Sequence, residues 1–257
     1  MPIATRTDAQ SRLGTWFGSF VLSRLVASPR GRAFLFSFMA DAEEADEGAF
    51  DRLVAKVDRP ELQKMVRTHK EDEARHATLM RACVERTGVA PDPLPASLRI
   101  VDRIDRLTGD TFRAGFPDDP PELGVMKVYA LLEAVEERGV TQFGLISRAL
   151  RPHDPRSADV IEEIIRDEAR HVLYARAIAK RYAPDDATLE AARAHAHALE
   201  ARAFEEHGRV FGAYMASAGL LGASAPERMM WRTLGAVGVL SAGAPAGPTH
   251  ARRPHHA

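Results

Sequence analysis

The 257-residue chain has almost no cysteine. Cys83 stands alone, so no internal disulfide is available and a Cys-rich zinc or iron–sulfur site is excluded. There is no excess of one charge either: 35 Lys plus Arg stand against 36 Asp plus Glu, a formal net charge of -1. That balance leaves no basic field for nucleic-acid binding. Long hydrophobic runs are missing too. The apolar stretch from Leu13 to Val26 is broken by Ser, Gly and Arg24, and it falls short of the roughly 18–20 residues that a membrane span needs. It also lacks the small-residue cleavage pattern of a secretory signal, so a reduced, cytoplasmic setting is expected. Finally, the β-branched alternations that mark strands are nearly absent.

What remains is a helical vocabulary. The chain is 45% hydrophobic and 28% charged, enough apolar side chain to fill one sizeable core. Blocks of Ala, Arg, Leu and Glu follow the 3.6-residue period, which predicts long helices over 31–57, 60–87, 121–150, 157–182 and 186–218. Short joints separate them: Asp58-Arg59-Pro60, Arg151-Pro152-His153-Asp154-Pro155 and Pro184-Asp185. Between the second and third helices runs a longer segment holding Gly88, Pro91, Pro93, Pro95, Gly109, Pro117 and Pro120, with one apolar-periodic piece over 98–107. Two helical hairpins joined by one long crossover make an all-α four-helix bundle. The expected domain spans 1–240, with its core over 31–182 and accessory helices over 11–27 and 186–240. Residues 241–257 carry no large apolar side chain and read as a disordered tail.

One motif is repeated. Asp72-Glu73-Ala74-Arg75-His76 recurs letter for letter as Asp167-Glu168-Ala169-Arg170-His171. Glu and His at i and i+3 lie about 60° apart around a helix and one turn apart along it, so both can grip one ion. The rows through them are otherwise apolar: Val66, His69, Met80 and Cys83 in one helix, Ile161, Ile164 and Ala175 in the other. A carboxylate on an inward row must be paired or metal-bound.

A two-metal site needs one further carboxylate from each remaining helix. The first helix offers Glu43, Glu44, Asp46 and Glu47; the third offers Glu133, Glu136 and Glu137. Face favours Glu43, beside Phe36, Met39, Phe50 and Val54, and Glu136, beside Tyr129, Leu132, Val140 and Phe143. Glu47 and Glu133 stay open as alternatives. The metal set is then Glu43, Glu73, His76, Glu136, Glu168 and His171, hard and borderline donors suited to two iron ions, to manganese or to a mixed pair. Asp72 and Asp167 are placed to accept a hydrogen bond from the outer ring nitrogen of a ligating His on the partner helix. His69, one turn before Glu73, belongs behind the ligands, and Tyr129 and Tyr174 belong to the core. In the fifth helix, His195 and His197 stand about 200° apart and cannot share an ion; with His207 they are expected at a surface or interface.

This pattern closely resembles the ferritin-like di-iron carboxylate superfamily, which includes ferritins, rubrerythrins, ribonucleotide reductase small subunits, tRNA hydroxylases and arylamine N-oxygenases. The likeness covers about residues 31–182. It implies that Glu43 and Glu136 are terminal or bridging carboxylates, that Glu73 and Glu168 bridge, and that His76 and His171 each cap one metal. His69 completes a His-x3-Glu-x2-His spacing similar to that around the extra ligand of arylamine N-oxygenases, where the run lies on a later helix. The implied activity is oxidation or hydroxylation of a small organic or nucleotide-type substrate by dioxygen, with an electron donor as partner. The alternative is a ferroxidase or iron-storage subunit, and a metal-free helical interaction protein is a third class. The helices beyond the core favour the first, since such additions can cover a pocket. Homodimerisation is left open.

Overall fold

The computed structural model describes residues 18–44, 59–109, 112, 114–222 and 224–236, and among these there is no strand. Eight α-helices are found: α1 (18–26), α2 (Pro29–Glu44), α3 (Pro60–Arg86), α4 (Ile100–Leu107), α5 (Pro121–Leu150), α6 (Pro155–Tyr182), α7 (Asp186–Ser217) and α8 (Ala225–Ala236). A single 3-10 turn, Ala96–Leu98, precedes α4. The chain is therefore all-α, as its periodicity predicts. The second half of the expected first helix lies outside the described residues, and Asp46, Glu47, Phe50 and Val54 with it. So do residues 11–17 of the N-terminal accessory helix and the whole 241–257 tail.

Local chemistry sets the helix ends. Prolines occupy the first helical positions of α3, α5 and α6, where no backbone N–H is needed. Asp154 accepts from the Ser157 amide at 3.1 Å, and Asp185 accepts from the Thr188 amide at 2.7 Å. The Asp154 cap starts α6 at Pro155, two residues before the start expected at 157. Of the expected 186–240 region, the described residues to 236 form two helices: Gly219 takes φ +70°, in the left-handed region, and α8 begins at Ala225. At the other end α1 turns tightly into α2, and a Cβ on Gly31 would come 1.9 Å from the Leu25 carbonyl oxygen.

α2 packs on α3, α5 packs on α6, and α7 lies along α5. α3 and α6 run antiparallel across the interior. Glu61 meets Arg181 at one end, Asp72 meets His171 and His76 meets Asp167 in the middle, and Arg86 meets Ser157 at the other end. The two copies of the motif thus face each other at mid-helix.

The apolar interior is divided in two. One body holds Leu62, Val66, Tyr129, Leu132, Ala175 and Ile178. The other holds Phe36, Met39, Met80, Ile146, Ile161 and Ile164. Along α3, α5 and α6 the chain passes from one body to the other through the stretch that carries the candidate ligands. Among the described residues, no helix is long and apolar enough to cross a membrane.

α7 is fastened to α5 by a buried ion pair. The Arg138 guanidinium donates Nε–H and Nη2–H to the two oxygens of Glu200, both at 3.0 Å, and stacks 4.5 Å over the Phe204 ring. Removing Glu200 strips the buried Arg138 guanidinium of this bidentate carboxylate, and breaking such a buried pair costs about 3–5 kcal/mol. Glu200→Ala is therefore expected to lower unfolding free energy by that amount in urea denaturation. The double replacement Arg138→Met with Glu200→Leu should recover most of it; a single variant as stable as the parent would refute the pairing.

Candidate metal centre

Four helices deliver carboxylates and imidazoles to the layer between the two apolar bodies. α2 supplies Glu43 near its described end, α3 supplies His69, Glu73 and His76, α5 supplies Glu136, and α6 supplies Glu168 and His171. Their ligand atoms form two groups, each within 4.8 Å: His69, Glu73, Glu136 and His171, and Glu43, Glu73, His76 and Glu168. Glu73 belongs to both. All six residues expected as ligands come together. His69, expected behind them, places Nε2 in the first group, 3.2 Å from Glu73 and 3.8 Å from Glu136.

The rival carboxylates are engaged elsewhere. Glu133 is buried and receives Arg176 Nε at 2.8 Å and Arg193 Nε at 2.9 Å. Glu137 takes Arg176 Nη2 at 2.8 Å, and Glu44 pairs with Arg81. Glu47 lies outside the described residues.

A second ring of groups orients the imidazoles. His76 Nε2 lies 3.3 Å from Asp167, and His171 Nε2 lies 3.2 Å from Asp72. Each aspartate serves the histidine of the opposite helix, as the sequence predicts. Arg75 and Arg170 both donate to Asp167, and Arg170 also donates to Asp72 at 3.1 Å. Asp167 is held down to about 2: burial opposes this, but Arg75, Arg170 and His76 outweigh it. With Nε2 committed outward, both Nδ1 atoms point at the glutamates. His171 Nδ1 is 3.3 Å from Glu73 and 3.2 Å from Glu168.

Four carboxylates this close cannot all be ionised. Burial, reinforced by Glu73, raises the Glu43 carboxyl well above its usual range, and burial with Glu168 does the same to Glu136. Against burial, the hydrogen bond from the Glu43 carboxyl, joined by His171 and His76, drives Glu73 well below its usual range, and His171 with His76 brings Glu168 down to about 2. The histidines answer in kind. Against burial, Glu168, Glu43 and Glu73 push His76 up to about 12, and Glu168 with Glu73 pushes His171 up to about 9. Metal-free, the layer balances two carboxylates against two imidazolium rings.

The donor set fits divalent metal. His76 Nδ1 is fully buried, 3.2 Å from Glu168 and 3.5 Å from Glu43, yet has no aligned hydrogen-bond partner. A buried ring nitrogen facing a nest of carboxylates becomes a ligand position once its proton has left. The oxygen-rich set with imidazole is unlike the thiolate-rich sets of structural zinc. Two divalent ions would balance four ionised carboxylates.

Periodicity did not reveal two other features. The Tyr174 hydroxyl bonds His69 Nδ1, so a residue read as core touches the site. His207, expected at a surface or interface, is buried within the chain: its ring stacks on Phe38 at 5.4 Å and lies 5.4 Å from Phe211, and burial lowers it to about 4. His195 is exposed and His197 half-buried. The chain matches no protein-family model, no curated protein and no solved structure.

Metal must displace the protons of Glu43, Glu136, His76 and His171. Because all four groups are raised, uptake should release protons and apparent affinity should fall as pH falls. Calorimetry in buffers of different ionisation enthalpy checks this, and pH-independent affinity would contradict it. Asp72→Asn and Asp167→Asn are each expected to weaken metal binding about 10–100-fold, read by chelator competition.

Proposed function

We propose that this chain is a ferritin-like non-haem di-iron protein that uses dioxygen to oxidise or hydroxylate a small organic or nucleotide-type substrate, drawing electrons from a separate donor. The observation that carries the reading is the pair of ligand groups sharing Glu73, which suits two ions at bridging distance better than one. An iron pair held by these residues would supply electrons to dioxygen. The protein's own residues do the rest. Glu73 joins the two positions, His76 and His171 present Nδ1 inward while Asp167 and Asp72 fix their tautomers, and the apolar bodies on either side keep bulk water out.

Purified protein is expected to bind about two irons per chain, with Glu73→Ala or Glu168→Ala removing most of that by elemental analysis. Unchanged metal content in both variants would sink the assignment. The rival reading, a ferroxidase or storage subunit, separates in one experiment. Anaerobic protein is given ferrous ion at about two and about twenty equivalents, then oxygen, and followed by oxygen uptake and absorption. Uptake that stops at the pair with ferric ion retained supports the oxygenase; turnover of every equivalent with mineral formation supports the ferroxidase.

A further inference from the structure

The two ligand groups are not equivalent. His69 and His171 give one position two nitrogens beside Glu73 and Glu136, whereas the other has His76 alone beside Glu43, Glu73 and Glu168. Imidazole favours the later first-row ions, and a carboxylate-rich set favours manganese. We propose that the two positions discriminate between metals: the His69 position takes the first equivalent of a late divalent ion, and the Glu43 position fills second and accepts manganese. The inference rests on reading the cluster as a metal pair.

His69 makes the difference, and its support is unlike that of the other two histidines. His76 and His171 lean on aspartates, which in ionised form only accept. His69 Nδ1 instead meets the Tyr174 hydroxyl, which both donates and accepts. Without metal, the Glu73 carboxylate 3.2 Å from Nε2 favours the tautomer with the ring proton on Nε2, which leaves Nδ1 to accept from Tyr174. With metal on Nε2 the ring proton moves to Nδ1, and the same hydroxyl turns to accept it. Tyr174 is thereby a positioning residue that supports either tautomer. Its ring is fixed edge-on to His171 at 5.7 Å and Tyr129 at 6.3 Å.

The test is a titration of metal-free protein with cobalt(II), followed by visible absorption. An equimolar cobalt and manganese mixture is then read by manganese electron paramagnetic resonance after unbound ions are removed. Wild type should take up cobalt in two steps at least about tenfold apart and should hold one cobalt and one manganese from the mixture. His69→Gln should bring the two steps together. Tyr174→Phe, the milder change, should weaken the first step about tenfold and leave the second unmoved. Two cobalt ions bound in one step by wild type, or a first step unmoved in both variants, would overturn the proposal while leaving a metal pair standing. Failure of wild type to bind either ion would remove the metal pair itself, and the inference with it.

Discussion

Four carboxylates and three imidazoles share one buried layer, and the rest of the bundle is organised around that burden. Two like charges about 4 Å apart repel by about 4 kcal/mol even at a moderate effective dielectric. Full ionisation of the layer would cost more than a protein of ordinary marginal stability holds in reserve. The protein answers by keeping protons on Glu43 and Glu136 and facing Glu73 and Glu168 with imidazolium. The same arrangement could hold metal once the protons leave, so the electrostatic cost of gathering these groups and their attraction for cations have one origin.

Packing follows from that constraint. The apolar bodies lie on either side of the layer, and α3, α5 and α6 each contribute to both. On these three helices the polar groups therefore sit at mid-helix, between the two apolar bodies. Charges near the layer that do not join it are neutralised individually. Glu133 is held between Arg176 and Arg193, and Glu200 receives Arg138. α7 supplies one partner in each of these sets, which makes it more than an outer cover.

Much of this was legible in the residues. The period of 3.6 marked the long helices, and the apolar rows around the repeated motif marked its inward face. The reciprocal bonds from Asp72 and Asp167 follow from the motif itself: in an antiparallel pair, a residue four positions before a histidine on one helix meets the histidine of the other. The same antiparallel pairing brings Glu73, His76, Glu168 and His171 together, and Glu43 and Glu136 join them from α2 and α5. The ferritin-like reading and its dioxygen chemistry rest on that grouping and on the likeness of the motifs.

The remainder depended on distances between helices that periodicity does not contain. Glu133 and Glu136 lie on the same helix less than a turn apart, and only the approach of Arg176 from α6 and Arg193 from α7 assigns them different partners. His69 shares its row with Glu73, but whether it stands behind the ligands or among them is set by how closely α6 brings Tyr174 and His171. Periodicity places His207 at a surface or interface, and only the approach of Phe38 of α2, with Phe211 of its own helix, encloses it. The sequence by itself determined the helices, the face each one buries, and the residue types that face offers. Only the tertiary structure decided which of those groups meet, because a helix specifies direction around its own axis and the neighbouring helices specify what lies in that direction.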